Sequence, residues 1–193
     1  DKVLKYIDIP LQHSENRVLK LMNRKGTREG YLSLLKKLRA RIPDIAIRST
    51  FISGFPTETE EEFLEMQAFV KEAELFNCGF FAYSREPDTG AYRLQPQVHH
   101  KTKARRVRTL YETQANVAKK IMDGFVGKTI EVLCDGIDYE KSCFVGRAYF
   151  NAPDIDGKVY FNAEKASQGE RYQVVITHAE NYDLYGKTEE YTL

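Results

Sequence analysis

The chain has 193 residues, 42% hydrophobic and 30% charged, with 29 Lys and Arg against 28 Asp and Glu for a net charge of +1. This composition supports a buried core and argues against disorder; no run of about 18 apolar residues exists to span a bilayer, and no signal peptide is expected. Cys78, Cys134 and Cys143 show no CxxC or CxxxCxxC spacing, which excludes a disulfide framework and a self-contained metal or cluster motif, and points to a reducing, cytoplasmic setting.

The chain begins without Met, and Tyr6 to Ile9 already reads as a short strand; a piece of a longer protein is expected. Ser14 is placed to cap a helix through Met22 with Val18, Leu19 and Met22 inward. Thr27 caps the next helix, whose stripe is Tyr31, Leu34, Leu35 and Leu38. Pro43 stops it, and Ile45 to Ile52 is a second strand leading to Gly54-Phe-Pro56. Thr59 and Glu62 form a capping box, and the run Glu58 to Glu62 reads as a solvated helix start that suits the positive end of the helix dipole. Phe63, Met66, Phe69 and Val70 face inward. Gly79 to Tyr83 is a third strand, expected to be buried on both faces. Strands separated by helices predict a parallel sheet. Ser84 to Val98 is irregular, and a long helix runs from about His100 to Met122 with Gln114 as a polar interruption of its apolar stripe.

From Phe125 the pattern changes. Thr129–Cys134, Cys143–Tyr149, Val159–Phe161, Tyr172–Thr177 and Asp183–Tyr185 read as short strands, with Asp135-Gly136, Asp156-Gly157 and Gln168-Gly169 as turns. Five such strands predict a small antiparallel barrel of OB-like size. The expected domains are 1–124 and 125–193. Charge divides at the same place: residues 1–124 carry 22 basic and 16 acidic side chains, residues 125–193 carry 7 and 12, so a half at +6 precedes a barrel at −5.

Three segments lie at successive strand ends: Pro10-Leu-Gln-His-Ser14, Thr50-Phe-Ile-Ser-Gly-Phe-Pro56 and Tyr83-Ser-Arg-Glu86. Strand C-termini in an α/β barrel converge on one site. Gln12 has paired donor and acceptor groups suited to ribose hydroxyls. Gly54 permits close backbone approach to a flat base, although Gly54 and Pro56 also suit a simple turn. Arg48 suits a carboxylate if it points inward. His13, His99, His100 and His178 show no ligand spacing, and no catalytic residue or metal ligand is assigned within this chain.

Taken together, Ile9-Pro-Leu-Gln-His-Ser14, Arg17-Val-Leu-Lys20, Met22-Asn-Arg24, Thr27-Arg-Glu29, Thr50 to Phe63 and Tyr83-Ser-Arg-Glu-Pro-Asp-Thr89 resemble the second half of a radical-SAM methylthiotransferase, and the terminal barrel resembles a TRAM domain. The resemblance covers essentially all 193 residues. It implies an α/β plus all-β chain: the C-terminal half of a radical-SAM, partial TIM-type barrel, then a five-stranded antiparallel TRAM barrel. Thr57 departs from a Gly common in the family.

The resemblance further implies an enzyme that uses S-adenosylmethionine and two [4Fe-4S] clusters, whose cysteine ligands are absent here, so the chain alone is expected to be inactive. Contacts to S-adenosylmethionine are implied for Gln12, Ser14, Arg48, Thr50, Ser53, Gly54, Phe55, Tyr83 and Ser84. Asn23 and Arg24 match a family motif without an assigned role. Two subgroups matter. One adds a methylthio group to the β-carbon of an aspartate in small-subunit ribosomal protein twelve, and the other modifies adenosine in tRNA. His13 after Gln12, the stretch Gly146 to Gly157 and the acidic barrel favour the ribosomal-protein subgroup, the barrel meeting a basic protein partner. A tRNA enzyme and a non-catalytic protein- or RNA-binding module remain the alternatives. Half a barrel also leaves a strand edge through which the chain is expected to self-associate.

Overall fold

The computed structural model describes residues 3–191. Two compact units divide inside a helix, one comprising Ile7–Val117 and the other Ala118 onward together with the residues before Ile7. The first unit holds a three-stranded sheet in the order β1 (Tyr6–Gln12), β2 (Ala46–Ser53), β3 (Asn77–Ala82). Strands β2 and β3 run parallel, with Arg48 opposite Asn77 and Thr50 opposite Gly79. Helices α1 (Asn16–Leu21), α2 (Arg28–Arg41) and α3 (Glu60–Ala73) lie between the strands, and α4 (His100–Asp123) follows a single 3-10 turn at Gly90–Arg93.

The period of two on β2 sends Ile47, Ser49, Phe51 and Ser53 to one buried face. There Phe51 stacks on Phe80 at 5.7 Å and meets the edge of Phe69 at 6.0 Å, within a core that includes Leu11, Leu35, Phe63, Met66 and Leu110. Each such side chain contributes about 1.5–3 kcal/mol through burial.

The opposite face is only partly covered. Phe81 is 58% exposed, so β3 is buried on one face, not on both as expected. The apolar run there belongs to a sheet whose second face lacks a packed layer among the described residues.

Local signals explain the helix starts. Thr27 Oγ1 accepts from the Gly30 N–H, and Thr59 and Glu62 form the reciprocal capping box. Helix α1 departs from expectation: Glu15, not Ser14, is its N-cap, with no side-chain cap bond. The polar interruption of α4 has a tertiary cause. Gln114 is buried, and its Nε2 donates to the Leu75 carbonyl at 2.8 Å, satisfying a backbone group that follows the left-handed Glu74 at the end of α3.

The second unit is a closed barrel, ordered β4 (Thr129–Asp138), β5 (Cys143–Arg147), β6 (Val159–Asn162), β8 (Asp183–Thr188), β7 (Arg171–Glu180). It is mixed, not antiparallel throughout, because β6 and β8 pair in parallel. Chain-adjacent strands need not be sheet neighbours, and a connection back past β7 closes the barrel with that one parallel pair. Asp135-Gly136 lies inside β4, where a register shift between Cys134 and Gly136 marks a bulge. Gly146 must be glycine: a Cβ there would meet the Leu133 carbonyl oxygen at 2.2 Å. Among the described residues no helix is long and apolar enough to cross a membrane.

Candidate functional site

Strand β2 ends at Ser53, and Gly54 turns the chain with φ of 77°, a conformation that glycine adopts without strain. The turn brings Glu58 back beneath the strand end. Its carboxylate is fully buried and accepts five hydrogen bonds. Oε2 takes the Gly54 N–H at 2.9 Å and the Phe55 N–H at 3.3 Å. Oε1 takes the Ser53 hydroxyl at 3.3 Å and Arg106 Nη1 at 2.6 Å. His13 supplies the fifth, with Nε2 3.2 Å from Oε2.

The His13 tautomer follows from its other nitrogen. The Glu15 N–H donates to Nδ1 at 3.0 Å, so Nδ1 is unprotonated and Nε2 carries the proton toward Glu58. Arg106, in α4, is also buried and spans Glu58 and Glu60, reaching Glu60 Oε2 through Nη2 at 2.9 Å. One carboxylate thus ties the end of β1, the turn after β2 and α4 into one charge-balanced cluster. Removing water from these charges is costly and is offset only because every oxygen lone pair is engaged.

Glu60 also takes both Nη2 contacts from Arg105, at 2.8 and 2.9 Å. The Arg105 hydrogen bonds, aided by Arg106, hold its carboxyl below the usual glutamate range. Burial works against ionisation of Glu62. The Arg17 guanidinium and the Thr59 N–H overcome that effect and lower its pKa.

Ser53, Gly54, Phe55 and Tyr83 come together at the carboxyl edge: the Tyr83 N–H donates to the Ser53 carbonyl at 2.9 Å, and the Tyr83 ring meets Phe55 edge-on at 5.2 Å. Gln12 ends β1 with φ of 71°. Ser14 is fully buried in the segment that follows. Thr50 and Arg48 lie on the other, open face of the sheet, alternating with the buried residues of β2. Arg48 Nε faces Asp8 Oδ2 at 3.6 Å. Ser84 is exposed and donates to Glu86 at 2.6 Å.

Sequence reasoning missed Glu58, His13, Arg106 and Lys103. Glu58 sits in an acidic run that reads as solvated, yet it stands just ahead of the capping Thr59, in the turn and outside the helix. That offset was the available signal. Lys103 lies in the first turns of α4. Its stem covers Gly54, whose Cβ, if present, would meet Lys103 Cγ at 2.4 Å. Its ammonium donates to the Tyr83 carbonyl at 2.9 Å and sits 4.8 Å from the Tyr83 ring centre. Burial pulls its pKa below the usual lysine range, against the opposing field of Glu58.

Two buried hydroxyls in these segments, Ser14 Oγ and Tyr83 Oη, have no hydrogen-bond partner among the described residues. Orphaned buried polar atoms are costly in a finished core and natural at a ligand site. With the Gly54 turn, they fit a polar nucleoside ligand such as S-adenosylmethionine. The cysteines do not fit a cluster. Cys78 and Cys134 are buried, Cys143 is partly so, and burial raises all three thiols. Among the described residues no group of three His, Cys, Asp or Glu side chains is arranged to hold a metal ion.

The profile described as "Radical SAM superfamily" matches residues 1–70, and that described as "TRAM domain" matches residues 126–188. Relatives named "Ribosomal protein uS12 methylthiotransferase RimO" align along nearly all of this chain. One from Thermus thermophilus is 46% identical over 96% of this chain and 43% of its own length. That from Symbiobacterium thermophilum is 44% identical over 98% and 40%, and that from Thermodesulfovibrio yellowstonii is 42% identical over 96% and 44%. The chain thus spans about two fifths of the length of the curated relatives it matches. Along nearly its whole length the chain is thus similar to relatives named for ribosomal protein uS12 methylthiotransferase activity, with a stretch matched by the radical-SAM model followed by one matched by the TRAM model.

Proposed function

We propose that this chain is the part of a methylthiotransferase that holds S-adenosylmethionine at the ends of β1, β2 and β3 and presents an acidic barrel to ribosomal protein uS12. In this reading residues 1–124 belong to the radical-SAM domain and residues 125–193 are the TRAM domain. The observation that carries the reading is the convergence of the Gly54 turn, Tyr83 and the orphaned hydroxyls of Ser14 and Tyr83 on strand ends ordered by one buried carboxylate. S-adenosylmethionine supplies the radical and methyl chemistry when bound with iron–sulfur clusters, whose ligands are not among this chain's residues. The chain's own residues bind and orient. Gln12 and Ser14 suit the ribose or amino-acid end, Ser53, Gly54 and Phe55 the adenosine side, and Tyr83 closes one flank. Thr50, Arg48 and Ser84 belong to the wider reading of the site, with Arg48 held on Asp8 and Ser84 on Glu86.

The charge of the barrel supports a protein substrate over tRNA. Its seven basic side chains face twelve acidic ones, and both of its arginines are engaged: Arg147 pairs with Asp135 at 3.1 Å and Arg171 pairs with Glu131. Few cations remain for a phosphate backbone. The test is binding of the parent polypeptide to uS12 and to tRNA across a salt series. The reading predicts retention of uS12. Tight, steeply salt-dependent tRNA binding with no uS12 binding would refute it.

A further inference from the structure

We infer that Lys103 is the receiving cation for a carboxylate at the strand ends. The inference rests on the functional reading above and names a residue for which neither sequence pattern nor resemblance provided. The groups that meet the Lys103 ammonium are neutral: the Tyr83 carbonyl at 2.9 Å and the Tyr83 ring. The nearby carboxylate does not require it. Glu58 already accepts from two backbone amides, Ser53, His13 and Arg106, which fills the roughly four lone-pair sites of a carboxylate. The other cations around the cluster are committed, Arg106 to Glu58 and Glu60, and Arg105 to Glu60. Arg48, the arginine first suited to a carboxylate, faces Asp8.

Lys103 is therefore a half-buried cation with no carboxylate hydrogen-bonded to it among the described residues. Its stem is packed over Gly54 and its head is aimed at the exit of β3. A desolvated ammonium in that state gains most from an incoming anion, because a charge-assisted hydrogen bond replaces a neutral one. The chemistry fits a carboxylate, and two groups in the proposed reaction carry one: the amino-acid end of S-adenosylmethionine, and the aspartate side chain of the protein substrate.

The test uses the reconstituted parent polypeptide with Lys103→Met, which keeps the stem over Gly54, and Lys103→Arg, which keeps the charge. Equilibrium dialysis measures S-adenosylmethionine against 5′-methylthioadenosine, which lacks the amino-acid end. Fluorescence anisotropy measures a uS12 peptide against the same peptide with its aspartate replaced by asparagine. A cofactor role predicts that K103M weakens S-adenosylmethionine by about tenfold or more while 5′-methylthioadenosine is unchanged. A substrate role predicts the same loss for the aspartate peptide alone. In either case K103R restores much of the loss. Equal weakening of the paired probes, or no change in any of them, overturns the inference while wild-type binding leaves the functional reading standing. A wild-type protein that binds neither S-adenosylmethionine nor uS12 overturns both.

Discussion

Arg17 holds Thr57 in a left-handed backbone conformation. Thr57 has φ of 69°, and Arg17 donates to its hydroxyl at 3.0 Å and its carbonyl at 2.8 Å while gripping Glu62 at 2.6 and 2.7 Å. The Thr57 N–H donates to the Pro96 carbonyl at 2.9 Å. A β-branched residue in this region costs about 1–2 kcal/mol. The backbone shape is held here by an arginine 40 residues away in sequence.

The first prediction is a coupling. Thr57→Gly relieves the strain but removes the hydroxyl that Arg17 grips, so alone it changes stability by under about 0.5 kcal/mol. With Arg17→Met in place the compensation is gone, and the same substitution stabilises by about 1 kcal/mol. A double-mutant cycle in urea measures it. Identical effects in both backgrounds would show that the two residues act independently.

Breaking the buried cluster is expected to be far more damaging. Glu58→Gln and Arg106→Met each leave a buried partner uncompensated and destabilise by about 3–5 kcal/mol, whereas the double variant costs less than the sum of the two. Urea unfolding of the four proteins is the measurement, and strict additivity would contradict the account.

That cluster also shows what a single sequence conceals. The capping box of Thr59 and Glu62 was legible because both partners lie within one turn, and the stripe of α3 because periodicity is local; in α2 Tyr31, Leu35 and Leu38 face the core as expected, but Leu34 is exposed and Leu32 packs inward instead. Glu58 was hard to read because its partners His13 and Arg106 lie 45 and 48 residues away, and only its place ahead of the capping Thr59 set it apart from the rest of the acidic run. Gln114 broke its stripe visibly, but the Leu75 carbonyl that explains it appears only in three dimensions. The parallel pairing of β6 with β8 escaped for another reason: a period of two reveals a strand's faces and says nothing of its direction.

Acid should loosen the α3–α4 contact. The Arg105 and Arg106 hydrogen bonds lower the pKa of Glu60 in the folded protein. The stability they contribute is present above the ordinary glutamate pKa, near about 4.3, and is lost as pH falls through the lower folded value. Arg105→Met should therefore flatten the dependence of Tm on pH below about pH 5. An unchanged acid slope would show that Glu60 is not held ionised by this contact.

Strand β1 is at one edge of the three-stranded sheet, and among the described residues β2 is its only neighbour there. Edge strands template pairing with other chains, and the 193-residue chain is expected to show concentration-dependent self-association in sedimentation velocity. Sedimentation as a monomer at high concentration would contradict this.

The most direct test of the central claim is mass spectrometry of uS12 and of tRNA after incubation with the reconstituted parent polypeptide, S-adenosylmethionine and a reductant. The account predicts one methylthio group on a single uS12 peptide and none on tRNA. Methylthio-adenosine in tRNA with uS12 unmodified would contradict it.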